Sequence, residues 1–223
     1  MPSVPDRPIV CYVTDGQAFP GADRERVVLD RIRTALTAGA DWIQIREKDL
    51  SGNRLLALVR ETLRIACTIA PAARTLVNDR LDVALAAGAA GVHVGGESLP
   101  VGATIRWCRS GNAQQGFSIG VSCHSFEEAK AAESAGADYA FFGPIFDTPS
   151  KRIFGPPHGV ERLAAVCRSV SLPVIAIGGI INETYGADCI HAGAKGIAAI
   201  RPFQVGRDFA ALTNFISAIH SCR

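Results

Sequence analysis

Two hydrophobic patterns alternate along the whole chain. Short apolar runs at residues 9–14, 42–46, 74–78, 91–94, 117–121, 139–142, 173–177 and 196–200 have the length and composition of strands. Between them the apolar positions fall at helical spacing, as in Val28, Leu29, Ile32, Ala35 and Leu36. The run Ser125-Phe126-Glu127-Glu128 has the form of a capping box ahead of Ala129, Ala132 and Ala135. An Ala-Gly-Ala phrase recurs at 38–40, 87–89, 135–137 and 192–194, each time closing a helical pattern and opening a strand. Glycine there can take the left-handed conformation that stops a helix, and the alanines permit close helix–sheet packing. Successive phrases stand too far apart for one strand–helix unit and suit two.

Eight strands alternating with helices predict parallel β-structure and a (β/α)8 TIM barrel, an α/β fold in a single domain over residues 1–223. The rival is an open, doubly wound sheet with a dinucleotide site. The first strand runs into Thr14-Asp15-Gly16-Gln17 rather than a G-x-G-x-x-G turn, which favours the barrel.

The second strand carries the most informative alternation. Ile43 and Ile45 share one face; Gln44 and Arg46 share the other, and Lys48 continues that line if the chain stays extended. Burying Arg46 without a partner would cost on the order of several kcal/mol. That face is therefore expected to meet a polar cavity that receives an anion.

Composition narrows the partners. The 223 residues are 48% hydrophobic and 20% charged, with formal net charge +2 and no basic or acidic run, so nucleic acid and membrane surfaces gain no electrostatic support. Phosphate affinity must come from a few placed cations. Seven scattered cysteines without a C-x-x-C pair argue for a reducing compartment. The first residues lack the apolar run of a signal peptide, and no uncharged apolar stretch reaches the roughly 18 residues of a membrane span. A cytoplasmic protein is expected, and its apolar helix faces allow a homo-oligomer.

Barrel enzymes build their sites from loops after the C-terminal strand ends. Those positions hold Arg46 and Lys48 after strand two, Asn78 and Asp79 after strand three, and Glu97 and Ser98 after strand four. Strand five ends in Ser122 and His124, strand six leads to Thr148, Ser150 and Lys151, strand seven to Gly178-Gly179, and strand eight to Ile200 and Arg201. The ring reads as a phosphate cradle with carboxylate available for Mg²⁺. Gly178-Gly179 reads as backbone N–H donors for phosphate or as a tight turn. Asp79 reads as a metal ligand or as the N-cap of a helix over 80–87. Lys151 is a mouth cation or a solvated loop lysine. His124 reads as an acid/base group or as the support of the Ser125 helix start. His93 is expected to pack inside; His158, His191 and His220 are expected on surface or helix positions. Five scattered histidines give no zinc spacing.

In order along the chain stand Gln44-Ile45-Arg46-Glu47-Lys48-Asp49, Val77-Asn78-Asp79-Arg80, Gly91-Val92-His93-Val94-Gly95, Gly120-Val121-Ser122-Cys123-His124-Ser125, Gly143-Pro144-Ile145-Phe146 with Thr148-Pro149-Ser150-Lys151, and Ala176-Ile177-Gly178-Gly179-Ile180. This ordered set resembles the thiamine phosphate synthase family and its sister group, the TenI-type thiazole tautomerases. The resemblance implies a transferase coupling hydroxymethylpyrimidine diphosphate to a thiazole phosphate with release of pyrophosphate. It implies that Arg46, Lys48, Asn78 and Lys151 hold the diphosphate, with Gln44 and Ser122 close to the pyrimidine. Asp79 would bind Mg²⁺, while Thr148, Ser150, the Gly179 backbone and the strand end at Ile200-Arg201 would meet the thiazole phosphate. Two stretches depart from the family pattern. Gly95-Gly96-Glu97-Ser98 stands where the family has Gly-Gln-x-Asp, so Glu97 and Ser98 replace the usual second metal carboxylate, and Arg201 replaces a serine. A tautomerase using His124, or a non-catalytic phosphate-binding regulatory barrel, are the competing readings.

Overall fold

A computed structural model describes residues 6–19, 21, 23–96, 98–148, 156–204 and 208–222. The strands are β1 (Ile9–Val13), β2 (Trp42–Ile45), β3 (Arg74–Asn78), β4 (Gly91–Val94), β5 (Ser118–Cys123), β6 (Tyr139–Phe142), β7 (Val174–Ile177) and β8 (Gly196–Ala199). Each is hydrogen-bonded in parallel to its neighbours in sequence order, and β1 closes on β8 with Ile9 opposite Gly196. Around this barrel run α1 (Arg24–Thr37), α2 (Gly52–Ile69), α3 (Leu81–Ala87), α4 (Val101–Trp107), α5 (Phe126–Ala135), α6 (Gly159–Ser169), α7 (Glu183–His191), α8 (Arg201–Gln204) and α9 (Phe209–His220). The (β/α)8 barrel expected from the sequence is the fold.

Period-two alternation sorts the strand residues into two apolar layers. Val10, Ile43, Ile45, Val92, Val94, Ile119 and Ala176 pack outward against helix residues such as Ile32, Leu55, Leu163 and Phe215. Ile9, Cys11, Trp42, Leu76, Tyr139, Phe141 and Ile175 fill the barrel interior. Burying each such large side chain contributes about 1.5–3 kcal/mol. Trp42 and Tyr139 meet edge to face at 4.9 Å and occupy the lower interior, which leaves the polar interior positions to the mouth.

The helix stops behave as the repeated phrase foretold: Gly88 and Gly136 close α3 and α5 at φ 73° and 87°. Half of the capping box on α5 is present: Ser125 Oγ accepts from Glu128 N–H at 3.1 Å, while the Glu128 carboxylate reaches back one residue further, to the His124 N–H. Several strand limits differ by a residue or two. Strand β2 stops at Ile45 because the Arg46 N–H donates to Thr14 Oγ1 at 2.9 Å instead of continuing the ladder. Strand β5 begins at Ser118 because the Phe117 N–H closes a turn onto Gln114 O at 3.1 Å.

Candidate active site

Strand parity carries Gln44, Asn78, His93 and Ser122 to the inside of the barrel, toward the C-terminal ends of β2 to β5. A hydrogen-bonded line joins the first of these. Gln44 Nε2 donates to Asn78 Oδ1 at 3.0 Å, and Asn78 Nδ2 donates to Asp79 Oδ2 at 2.6 Å. The line has only one polarity. An ionised carboxylate accepts and cannot donate, so the amide of Asn78 must turn its NH2 to Asp79 and its oxygen to Gln44. Gln44, 2% exposed, therefore gives its own NH2 to Asn78 and is left with a buried Oε1 that has no partner among the described residues.

Asp79 is not the helix N-cap that one reading allowed; Arg80 takes that position and α3 begins at Leu81. Asp79 instead adopts a left-handed backbone, φ 61°, uncommon for a residue with a Cβ and costing roughly 1–2 kcal/mol. Tertiary contacts hold it there. Its N–H donates to His93 O at 2.8 Å, and its Oδ1 accepts from Gly95 N–H at 3.3 Å and from the Ser98 hydroxyl. The loop after β4 is thus tied to the carboxylate, and Ser98 lies where the second metal ligand was expected.

Ser122 accepts or donates across 2.9 Å to His93 Nε2, and His93 Nδ1 lies 3.2 Å from Tyr139 Oη. The imidazole packs 4.3 Å from the Phe141 ring centroid, as an interior histidine should. Burial pushes its pKa down to about 3, against the opposing pull of Asp79, so it stays neutral and orients Ser122.

After β2 the chain does not remain extended. It turns at Lys48 and Asp49, both exposed, with Leu50 N–H bonded to Glu47 O at 3.3 Å. The condition on which Lys48 would continue the interior line is therefore not met. Lys48 lines a small polar recess with Asp15, Gln17, half-buried Arg46, Glu47 and Asp49. Neither the Arg46 guanidinium nor the Lys48 ammonium has a side-chain partner among the described residues.

The remaining candidates divide. His124 is exposed, its Nδ1 bonded to Gly143 O and its N–H to Glu128 Oε2, so it braces the β6 loop and the start of α5. Gly178 and Gly179 have φ of 98° and 71°, and a Cβ at either would strike the β6 loop, 2.6 Å from Pro144 Cα and 2.6 Å from Phe146 O respectively. Packing against that loop thus accounts for both glycines whether or not their N–H groups also meet an anion. Thr148 is half-buried and Ile200 packs on the interior layer, while Arg201 is exposed at the first position of α8. Glu97, Ser150 and Lys151 lie outside the described residues. His158 takes a helix position as expected, the N-cap of α6, but is half-buried there: it stacks on Phe142 at 5.0 Å, and burial lowers its pKa, with nearby Arg162 adding to the shift. His220 lies on a helix as expected, at the end of α9, where it pairs with Asp41 at 2.9 Å. Thr14 and Glu47, both buried and bonded to each other, were not among the site candidates; an acid placed between two cations at a strand end was the available signal.

Comparisons with known proteins identify the family. A family model described as thiamine monophosphate synthase matches residues 10–203. The thiamine-phosphate synthase of Roseiflexus sp. is 39% identical over 223 residues, covering 98% of this chain and 91% of that one. The thiamine-phosphate synthase of Chlorobium luteolum is 40% identical, covering 94% and 95%. The solved thiamine phosphate pyrophosphorylase of Pyrococcus furiosus superposes with a TM-score of 0.80 at 29% identity, covering 95% of both chains. With the barrel and these likenesses in agreement, the chain belongs to the thiamine monophosphate synthase family.

Proposed function

We propose that this protein is a thiamine-phosphate synthase working in the cytoplasm. It joins hydroxymethylpyrimidine diphosphate to a thiazole phosphate, giving thiamine phosphate and pyrophosphate. In the reaction the bond from the pyrimidine methylene carbon to the diphosphate oxygen breaks, and its electron pair leaves with pyrophosphate. The thiazole nitrogen lone pair forms the new carbon–nitrogen bond. The site has to stabilise the leaving anion and keep water from the carbon, and no base is required.

The observation that carries this reading is the polarity of the Gln44–Asn78–Asp79 line. It leaves one buried acceptor, Gln44 Oε1, which an N–H donor of an aminopyrimidine satisfies. An unmet buried acceptor costs about 1–3 kcal/mol, so the site favours a ligand that supplies the donor. Arg46 and Lys48, without side-chain partners among the described residues, grip the diphosphate together with Lys151, and Ser122, oriented by His93, adds a hydroxyl. Thr148, Ser150, the Gly179 backbone and the strand end at Ile200-Arg201 take the thiazole phosphate.

The donor set fits Mg²⁺. Asp79 offers a carboxylate in contact with the Ser98 hydroxyl, and such oxygen sites hold Mg²⁺ with one or two carboxylates plus substrate phosphate and water. Asp79 and Ser98 would hold it, with Glu97 in the same loop. When bound, the ion neutralises charge on the departing diphosphate. The test is an assay of pyrophosphate release from the two substrates, with and without Mg²⁺. Release that requires both substrates and the metal is expected; no release with all three present overturns the proposal.

A further inference from the structure

One buried carboxylate at the mouth has no part in the reading above. Glu47 is 5% exposed and Thr14 is fully buried. The Thr14 hydroxyl donates to Glu47 Oε1 at 2.6 Å, and the Gly16 N–H donates to both carboxylate oxygens at 3.0 and 2.9 Å. Thr14 Oγ1 in turn accepts the Arg46 N–H at 2.9 Å, while Thr14 N–H donates to Gln44 O at 2.9 Å. These bonds close a ring between the loops after β1 and β2. The ring has one polarity. Thr14 has a single hydroxyl proton, and an acceptor-only carboxylate takes it, which frees the oxygen lone pair for Arg46. Burial works against the charged form of Glu47, opposed by the Thr14 hydroxyl and the Gly16 N–H. A carboxylate kept in such a place needs its donors fixed.

The ring fixes the Arg46 backbone through its N–H and anchors Glu47, the residue that joins Arg46 to Lys48; among the described residues neither cation has a side-chain partner. We infer that Glu47 is a positioning residue: through Thr14 it sets the backbone that aims Arg46 and Lys48, and so preorganises the grip on diphosphate. The inference rests on the synthase reading only for the identity of the anion. A role confined to stability would move melting behaviour and leave anion affinity alone.

The test compares wild type, Glu47→Gln, Thr14→Val, Thr14→Ser and the Glu47→Gln/Thr14→Val double variant. Inorganic pyrophosphate with Mg²⁺ is titrated by calorimetry, and KM is measured for each substrate. Glu47→Gln puts an amide NH2 or a single oxygen against the Gly16 N–H, and Thr14→Val removes the relay at nearly constant volume. Each is expected to weaken pyrophosphate binding by about tenfold and raise KM for the diphosphate substrate alike, with the thiazole phosphate KM within about twofold. The double variant is expected to be no weaker than the weaker single one, because both cut the same ring. Thr14→Ser, which keeps the hydroxyl, restores binding to within about threefold of wild type. Folded variants that bind pyrophosphate like wild type, both KM values rising together, or multiplicative losses in the double variant would each overturn the inference. If Glu47→Gln does not fold, Thr14→Val decides alone. A wild type that makes no product, with pyrophosphate affinity still lost in Thr14→Val, removes the synthase reading and leaves this one standing.

Discussion

Replacing Gly179 with alanine separates two costs that a glycine can hide. Gly179 and Gly88 have nearly the same backbone, φ 71° and 73°, but different surroundings. A Cβ at Gly88 has nothing within 4 Å, whereas one at Gly179 would lie 2.6 Å from Phe146 O and 2.7 Å from Asp147 O. Gly88→Ala therefore reports the left-handed backbone cost alone, about 1–2 kcal/mol. Gly179→Ala adds the displacement of two carbonyl oxygens, comparable to overpacking a core at about 1–3 kcal/mol more. The loop resists being moved: Ile145 and Phe146 N–H groups bond to Ile177 O and Gly178 O at 3.0 Å, and Phe146 stacks on Tyr185 at 4.1 Å. In a chain of this size each kcal/mol shifts the melting temperature by about 2–4 °C, so Gly179→Ala should melt roughly 2–12 °C below Gly88→Ala. Because the displaced loop leads into Thr148, Gly179→Ala should also lose synthase activity while Gly88→Ala keeps it. Equal melting temperatures and equal activities for the two variants would refute the claim that loop packing dictates the second glycine.

Stability in acid should depend on Asp41. Burial pushes its pKa up, but His220, the Val10 N–H and Arg7 together outweigh burial and leave it below the usual carboxylate range. A depressed folded pKa contributes stability that is complete above about 3.9 and is lost as pH falls through the folded value. Denaturant midpoints measured from about pH 5 down to pH 2 should fall less steeply for Asp41→Asn than for wild type, and parallel curves would remove the ion pair as the cause. At the mouth, Lys151→Ala should lower kcat/KM by about a hundredfold and His124→Ala by tenfold at most, since leaving-group charge rather than proton transfer sets the barrier. The reverse order would favour proton transfer at His124, as a tautomerase requires.

The parts of the fold that local chemistry dictates were legible in the sequence. Period-two alternation placed Ile43 and Ile45 outward and Gln44 inward, and the Ala-Gly-Ala phrases marked where helices stop. What the sequence missed depended on partners far along the chain. The end of β2 is set by the Thr14 hydroxyl capturing the Arg46 N–H, a contact across the first helix. Whether Lys48 stays on the interior line depends on the path of the chain, and the chain turns where Glu47 reaches back to Thr14 and Gly16. Asp79 satisfied every local rule for an N-cap, yet His93 O, Gly95 and Ser98 hold it in a conformation that no local rule favours. His158 heads α6, in keeping with the surface or helix position expected for it, but its packing on Phe142 comes from another element.

The seam between β1 and β8 bears on how the protein is made. Strand β1 leaves the ribosome with β2 soon to follow, but its other neighbour, β8, is the last of the eight barrel strands to be made. Until that strand emerges, the nascent sheet has two open sides offering unpaired backbone groups, the condition in which chains join one another. A stop codon or frameshift ahead of Gly196 would fix the protein in that state permanently. Such a truncation costs far more than one strand, because the missing piece is the latch that turns a sticky ribbon into a sealed cylinder.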